Sequence, residues 1–259
     1  MSIQFELQTN SIKSQINDLL DDSSFPSLVV LDGAWGSGKT YFVKNHLIDA
    51  YKSKPIYLSI VGLANRDDFI NRVIATNIGI DGEHSGSLKS LVDSIQKAVT
   101  KTGSNSAGAL MTVVGGLTGV IKDTAIKGIK NKTFIIDDIE RLERKDLKEQ
   151  IIGECYLLAE SNDIKFIFLT DREQLKLDDP VVEKYFSGVV DFSMTMSNIL
   201  SIVFNGKEFA NHQEQIETAL SILELKNLRV LKRVAWRIAK IHKEIEKLNY
   251  DVDIALTMR

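Results

Sequence analysis

Apolar residues along the chain follow two kinds of pattern, short continuous runs and longer segments in which they recur every three or four positions. Continuous runs of strand length occupy residues 28–31, 133–136 and 164–169, and a shorter one lies within residues 188–192. Helical spacing occurs at residues 66–78, 87–99 and 227–248. Short apolar runs alternating with amphipathic helices are typical of a parallel sheet covered on both faces. The pattern therefore predicts a three-layer α/β fold with a mainly parallel central sheet.

A helical part is predicted to follow this sheet. We expect residues 1–195 to form the core, with an insertion at about residues 101–130, and residues 196–259 to form a C-terminal helical lid. Asp179 and Pro180 mark a helix start within the core, because proline fits the first turn of a helix. Asn227 is the predicted cap of the last long helix.

Residues 33–40 follow the first apolar run and read G-A-W-G-S-G-K-T, which fits the pattern G-x-x-x-x-G-K-[ST]. Glycines let the backbone turn sharply enough to direct successive N–H groups at phosphates, and the helix that follows adds its positive end. Lys39 is expected to reach the β- and γ-phosphates, and Thr40 to offer its hydroxyl to Mg²⁺. The predicted nucleotide-binding residues are Gly33, Ala34, Trp35, Gly36, Ser37, Gly38, Lys39, Thr40 and Tyr41.

Two carboxylates end the second apolar run. A buried strand delivers its last residues to the edge of the sheet beside the phosphates. Asp137 is the predicted Mg²⁺ partner, acting through water because Mg²⁺ keeps much of its hydration shell. Asp138 is predicted to orient and polarise the attacking water, with Glu140 as a second candidate.

The third apolar run ends in Thr170, Asp171 and Arg172. In additional-strand P-loop ATPases such a strand lies between the cradle strand and the acidic strand, so its last polar residue can touch the γ-phosphate or the attacking water. Thr170 is predicted to take this role ahead of Asp171. An ordinary strand that ends at a polar turn is the alternative.

Composition narrows the class of protein. The chain has 259 residues, 44% of them hydrophobic and 26% charged, and a net charge of −3, so there is no global attraction to nucleic acid or acidic lipid. The single cysteine, Cys155, excludes an intrachain disulfide framework and favours a core position in a reducing compartment. With no signal sequence visible in residues 1–22, a cytoplasmic location is predicted.

Residues 106–121 are apolar and rich in small side chains. At about 1.5 Å per residue they are too short to cross a bilayer core of about 30 Å. We expect a buried or partly disordered insertion, with a partner contact or a shallow membrane element as alternatives.

The predicted last helix has a basic face opposite its apolar one. Its members are Arg229, Lys232, Arg233, Arg237, Lys240 and Lys243. A solvated face paired with neighbouring acids is the first interpretation. Nucleic-acid binding is possible but not favoured, because neither interleaved aromatic residues nor a known reader motif is evident.

Four segments together resemble the KAP-type P-loop NTPases and their relatives in bacterial defence systems, namely residues 33–40, 56–63, 136–142 and 168–175. The resemblance covers roughly residues 25–240. It implies an additional-strand ATPase, related to AAA+ and STAND switches, that frequently acts against phage. It also implies that an arginine such as Arg229 or Arg233 senses the γ-phosphate from the lid. Glu140 stands where the family commonly has Asp, and the family's membrane hairpin is not clearly present.

The motifs and the resemblance predict an ATPase that uses Mg²⁺ and drives a conformational or oligomerisation switch, with a homo-oligomer or an effector protein as partner. The sequence lacks the N-K-x-D and L-S-G-G-Q signatures, which disfavours GTPases and ABC proteins. A small-molecule kinase is disfavoured because paired acids suit water activation better than transfer to an acceptor. The alternative from another class is a nucleotide-gated interaction module with little or no hydrolysis. Arg141, Arg144 and Arg172 are candidates for completing a neighbouring subunit's site, although surface ion pairs are favoured for each.

Overall fold

A computed structural model of the protein describes residues 3–51, 53–80, 97, 107–177 and 179–247. Its strands are β1 (Leu28–Asp32), β2 (Ile56–Ser59), β3 (Thr133–Asp137), β4 (Lys165–Thr170) and β5 (Gly188–Asp191). They form one parallel sheet in the order β2-β3-β4-β1-β5. Strand β4 therefore lies between β1 and β3, as predicted for the additional strand.

Helices surround this sheet. The described α-helices are α1 (Ile3–Leu20), α2 (Lys39–Phe42), α3 (Arg66–Ile80), α4 (Ala107–Gly115), α5 (Gly119–Lys127), α6 (Lys145–Asn162), α7 (Arg172–Leu175), α8 (Asp179–Tyr185), α9 (Met196–Val203), α10 (Gln213–Ile222) and α11 (Leu228–Lys247). Helix α2 continues through a π-helical turn (Val43–Leu47) and a 3-10 turn (Ile48–Ala50). Shorter 3-10 segments are Ile139–Arg141 and Lys207–His212.

The side chains of β1 alternate between two hydrophobic clusters. Val29 and Leu31 point into a cluster with α1, α2 and the C-terminal helices, whereas Leu28 and Val30 point into one formed with α3 and α6. Both faces of the sheet are thus covered, because successive residues of a strand face opposite sides. The predicted three-layer α/β fold of a P-loop NTPase, with a helical C-terminal region, is confirmed.

Helices α9, α10 and α11 pack on the face of the sheet that carries Val29 and Leu31. Ile199, Ile216 and Leu231 are buried in the same cluster as Val29. The long helix α11 agrees with the predicted helix at residues 227–248 as far as the structure describes it. The division into a core of residues 1–195 and a lid of residues 196–259 stays a prediction.

Helix α1 is an element that the sequence analysis did not predict. Ile12, Ile16 and Leu20 recur every fourth residue and are all buried against the sheet. This spacing is the signal that a helix was present, although the surrounding residues are polar.

The insertion packs against α3. Val114 and Ala125 are buried in a small cluster with Ile74, Ala75 and Ile78. Among the described residues, no helix combines the length and apolar character needed to cross a membrane. The helix predicted at residues 87–99 lies outside the described part of the chain, apart from residue 97.

Candidate nucleotide-binding site

The loop between β1 and α2 adopts a conformation that requires glycine. Gly36 and Gly38 have φ angles of +85° and +97°, in the left-handed region. A Cβ atom on Gly33 would lie 2.6 Å from the main-chain oxygen of Phe192. The loop therefore lies directly against the residue that follows β5, with no room for a side chain at its first position.

The ammonium group of Lys39 points back into this loop. Its Nζ donates hydrogen bonds to the main-chain oxygen of Gly33 and, at 3.3 Å, to that of Ala34. Burial lowers the pKa of Lys39, and the nearby carboxylates, Glu140 foremost, oppose that shift. The loop thus holds a positive charge, largely removed from solvent, at the end of β1.

Asp137, the last residue of β3, is buried at the edge of the sheet. Its Oδ2 accepts a hydrogen bond from Thr40 Oγ1 at 2.8 Å and another from Tyr57 OH at 2.5 Å. Its Oδ1 accepts from the main-chain N–H of Asp138 at 2.9 Å. Burial and the hydrogen bond to Asp137 raise the pKa of Tyr57, so this phenol stays protonated. The pairing of a hydroxyl with a carboxylate supplies the oxygen ligands that Mg²⁺ prefers.

Asp138 is held by partners on both of its carboxylate oxygens. Oδ1 forms an ion pair with Arg141 Nε at 2.8 Å, and Oδ2 accepts from Ser59 Oγ at 2.9 Å. Its main chain has φ of +70°, which is uncommon for a residue other than glycine. Asp138 therefore links the ends of β2 and β3 to the turn that carries Arg141.

Glu140 reaches the site from the 3-10 turn after β3. Its side chain lines the same cavity as Lys39, and Thr170 Oγ1 donates to its Oε2 at 3.4 Å. Burial raises the pKa of Glu140, while the charge of Lys39 opposes the shift. Thr170 is fully buried, and Glu140 is the carboxylate that its hydroxyl contacts.

Trp35, in the middle of the loop, lies close to two guanidinium groups. Arg141 is 5.5 Å and Arg229 is 5.3 Å from the centroid of its indole ring. Both distances are within the range of cation–π attraction. The indole is 58% exposed, and its main-chain N–H donates to Asp171 Oδ2 at 3.1 Å.

The first turn of α11 lies on the loop. The N–H of Leu228 donates to the main-chain oxygen of Gly36 at 2.7 Å. One turn further along, Lys232 Nζ is 4.3 Å from the ring centroid of Tyr41. The C-terminal helix is thereby in direct contact with the residues that carry the phosphate-binding pattern.

These groups surround a cavity of about 240 Å³. The residues that line it are Trp35, Gly36, Gly38, Lys39, Thr40, Tyr41, Asp137, Asp138, Glu140, Arg141, Leu228, Arg229 and Lys232. An adjoining cavity of about 400 Å³ shares Trp35 and is lined by the loop after β5 and the residues before α11. The structure thus brings together most of the predicted site residues. Ala34 and Ser37 line the second cavity, whereas Gly33 and Thr170 are not among the lining residues of these two cavities.

Several contacts at the site were not predicted. Tyr57 and Ser59 at the end of β2 contact the two carboxylates at the end of β3, Asp137 and Asp138. The available signal was the presence of polar residues on a strand that is otherwise apolar. The three arginines considered for a neighbouring subunit form ion pairs within the chain. Their partners are Asp138 for Arg141, Asp146 for Arg144 and Asp32 for Arg172.

Comparison with known proteins finds a family match over the part of the chain that carries the loop. The model of the KAP family P-loop domain matches residues 9–132, a range that contains the loop and ends just before β3. None of the curated proteins matches the chain. A chain in the structure of Drosophila ORC bound to DNA is similar with a TM-score of 0.48 and 14% identity. That similarity covers 90% of this chain and 61% of the other, so this chain spans about three fifths of that neighbour's length.

Proposed function

We propose that this protein binds ATP with Mg²⁺ and hydrolyses it. The observation that carries the proposal is the convergence on one cavity of the buried Lys39 ammonium, the Thr40–Asp137 pair and the half-buried Glu140. A phosphate-binding loop alone requires none of these carboxylates. Their placement at the carboxyl end of β3, next to the loop, is what phosphoryl transfer to water requires.

Binding rests on the loop and on Lys39. The main-chain N–H groups at the start of α2 and the lysine charge attract the phosphates. Thr40 and Asp137 would hold Mg²⁺, which neutralises charge on the phosphate oxygens when bound. Tyr57 keeps the Asp137 carboxylate oriented by donating to the oxygen that Thr40 also contacts.

Glu140 is the group that we propose activates water. Both oxygens of Asp138 already have partners, in Ser59 and Arg141, so this carboxylate is committed to holding the turn. Glu140 has a raised pKa, which brings it closer to neutral pH and makes it a better acceptor of a proton from water. In this proposal Thr170 positions Glu140 by donating a hydrogen bond to its carboxylate, and it does not act on the phosphate itself.

Arg229 is proposed to stabilise the phosphates from the opposite side of the cavity. Its guanidinium lies 5.3 Å from the centroid of the Trp35 ring, and Arg229 is one of the residues that line the cavity. Charge placed where negative charge develops in the transition state lowers the barrier. The base and ribose are proposed to occupy the adjoining cavity, whose apolar lining includes Phe192, Met194 and Leu225.

The contact between α11 and the loop supports a nucleotide-dependent switch. Because Leu228 donates to Gly36, a change in the loop on phosphate binding moves the first turn of α11. A homo-oligomer or an effector protein as the recipient of that movement stays a prediction, as does a role in defence.

A nucleotide-gated binding module with little hydrolysis is the second candidate. It is favoured if Asp138, the carboxylate that the sequence predicts to activate water, is the one that hydrolysis needs, because both of its oxygens already have partners. The two candidates agree on binding and differ in phosphate release.

Binding is tested by equilibrium titration with a fluorescent ATP analogue, with and without Mg²⁺. Lys39→Ala is expected to weaken binding by at least about 10-fold, since a charge-assisted contact of about 1.5–3 kcal/mol is lost. Lys54→Ala, which removes an exposed lysine paired with Asp49, serves as the matched control and should bind normally. Asp137→Asn should remove most of the dependence on Mg²⁺. Equal affinity of the Lys39→Ala and Lys54→Ala variants would overturn the proposal.

A further inference from the structure

The exposed face of α11 is strongly basic over four turns. Between Leu228 and Lys243 there are six lysines and arginines and no aspartate or glutamate, and the first acidic residue is Glu244. The remainder of the chain is acidic, since the whole has a net charge of −3. Positive charge is thus concentrated on one helix.

An exposed aromatic ring lies within this face. Trp236 is 64% exposed. Cations stand at positions −7, −4, −3, +4 and +7 relative to it, which places them on the same side of the helix. They are Arg229, Lys232, Arg233, Lys240 and Lys243. The expectation that no aromatic residue interleaves with these charges is therefore wrong, because Trp236 stands among them.

Packing fixes the orientation of this face. The buried face of α11 packs into the core cluster that contains Val29 and Leu31. Its members are Leu228, Leu231, Ala235 and Ile238. Trp236 and the basic residues lie on the opposite side and are exposed. The helix therefore presents the ring and the charges to solvent on a rigid support.

Acidic side chains do not neutralise the face. Within the part of the chain that the structure describes, none of its six cations forms an ion pair with a carboxylate. The contacts that they do make are with rings: Arg229 with Trp35, Lys232 with Tyr41, and Lys240 with Trp236 at 5.3 Å. The pairing expected from the first interpretation of the sequence is therefore not found there.

We propose that this face binds single-stranded nucleic acid, with phosphates on the lysines and arginines and one base stacked on Trp236. A row of cations beside an exposed aromatic ring is the arrangement by which proteins hold unpaired strands without reading their sequence. The face extends about 21 Å from Arg229 to Lys243, at 1.5 Å per residue. An acidic protein surface would account for the charges, but it would not account for an exposed indole ring among them, on which a base can stack.

The surface begins at the nucleotide cavity. Arg229 and Lys232 line that cavity, whereas Trp236, Arg237, Lys240 and Lys243 lie beyond it. The outer four residues can therefore be changed without altering the cavity. Binding of single-stranded nucleic acid can thus be tested separately from ATP hydrolysis.

The test is fluorescence anisotropy of the full chain with labelled oligo-dT of on the order of 15 nucleotides, at several salt concentrations. Wild type is expected to bind with a slope of log K against log salt of about −4, since each of the six cations that contacts a phosphate of a single strand contributes roughly −0.7. Trp236→Ala is expected to bind at least about 5-fold more weakly, and Trp236→Phe to recover most of the loss. The triple variant Arg237→Glu, Lys240→Glu, Lys243→Glu should abolish binding.

A matched charge control is Lys122→Glu, Lys127→Glu, Lys130→Glu, which changes the same charge on α5 and the residues after it and should leave oligo-dT binding near wild type. Thermal unfolding of every variant is measured as well, to check that the substitutions leave the fold intact. The proposal is overturned by no binding of oligo-dT at low salt, by equal affinities of Trp236→Ala and Trp236→Phe, or by equal loss in the two triple variants. Preference for a duplex of the same length, or for vesicles of acidic lipid, would overturn it in favour of that partner.

Discussion

Asn227 joins the C-terminal helix to the phosphate-binding loop through Trp35. Its Nδ2 donates to the main-chain oxygen of Trp35 at 3.2 Å. Its Oδ1 accepts from the N–H groups of Arg229 and Val230, at 3.1 and 3.2 Å, and so caps α11 as the sequence predicts. One amide group thus serves two elements, which makes it the point at which loop and helix can influence each other.

The two roles of Asn227 can be separated by substitution. Asn227→Ala loses the cap and the loop contact, and should lower stability by about 1 kcal/mol. Asn227→Ser keeps a capping oxygen but is too short to reach Trp35, so stability should be largely retained. In both variants we expect faster amide hydrogen exchange in the loop, measured by mass spectrometry. Unchanged protection of the loop in both would show that the contact does not connect the two elements.

The close approach of the loop to the end of β5 gives a second prediction. A methyl group on Gly33 would meet the main-chain oxygen of Phe192 at 2.6 Å, so Gly33→Ala must displace backbone. We expect it to destabilise the protein by about 1–3 kcal/mol. Gly153→Ala on α6 meets no atom within 4 Å and should stabilise by about 0.5–1 kcal/mol. Urea unfolding of the two variants measures this contrast, and a Gly33→Ala protein as stable as wild type would contradict the described loop position.

The environment of Glu140 predicts a pH-dependent stability. Burial raises its folded-state pKa above the ordinary value, so ionisation costs the folded state free energy as the pH rises above that ordinary value. At low pH the carboxyl is protonated in both states and the cost disappears. Glu140→Gln should therefore raise Tm near pH 8, by roughly 2–4 °C for each kcal/mol relieved, and leave it almost unchanged near pH 4.

The exposed Glu143, three residues further on, provides the control for this measurement. Glu143→Gln should change Tm little at either pH, because an exposed carboxylate keeps its water. A Glu140→Gln protein that is less stable than wild type near pH 8 would show that the attraction between Glu140 and Lys39 outweighs the cost of burial.

The parts of the site that the sequence predicted are those encoded locally. Residues 33–40 and the acidic end of β3 are short patterns in which each residue type is fixed by its own geometry or chemistry. The additional strand, β4, is a continuous apolar run, and the cap at Asn227 is a single residue before a helical pattern, so both could also be predicted from neighbouring residues alone. These patterns survive in the sequence whatever surrounds them.

The parts that the sequence did not predict depend on contacts between distant segments. Tyr57 and Asp137 are 80 residues apart, and Ser59 and Asp138 are 79 residues apart, so the pairing arises only when β2 and β3 lie side by side. The choice between Asp138 and Glu140 turns on these pairs. Trp35 likewise acquires its two arginine neighbours from segments far along the chain.

The most direct test of the proposed hydrolysis is single-turnover phosphate release from ATP with Mg²⁺, comparing wild type with Glu140→Gln and Asp138→Asn. The wild type should release phosphate, and Glu140→Gln should bind ATP normally but release phosphate at least about 100-fold more slowly, as expected on loss of a general base. Asp138→Asn should slow release less, because it disturbs only the support of Arg141 and Ser59. Release by Glu140→Gln at the wild-type rate would contradict the role assigned to Glu140, and the lack of any Lys39-dependent release by wild type would contradict hydrolysis itself.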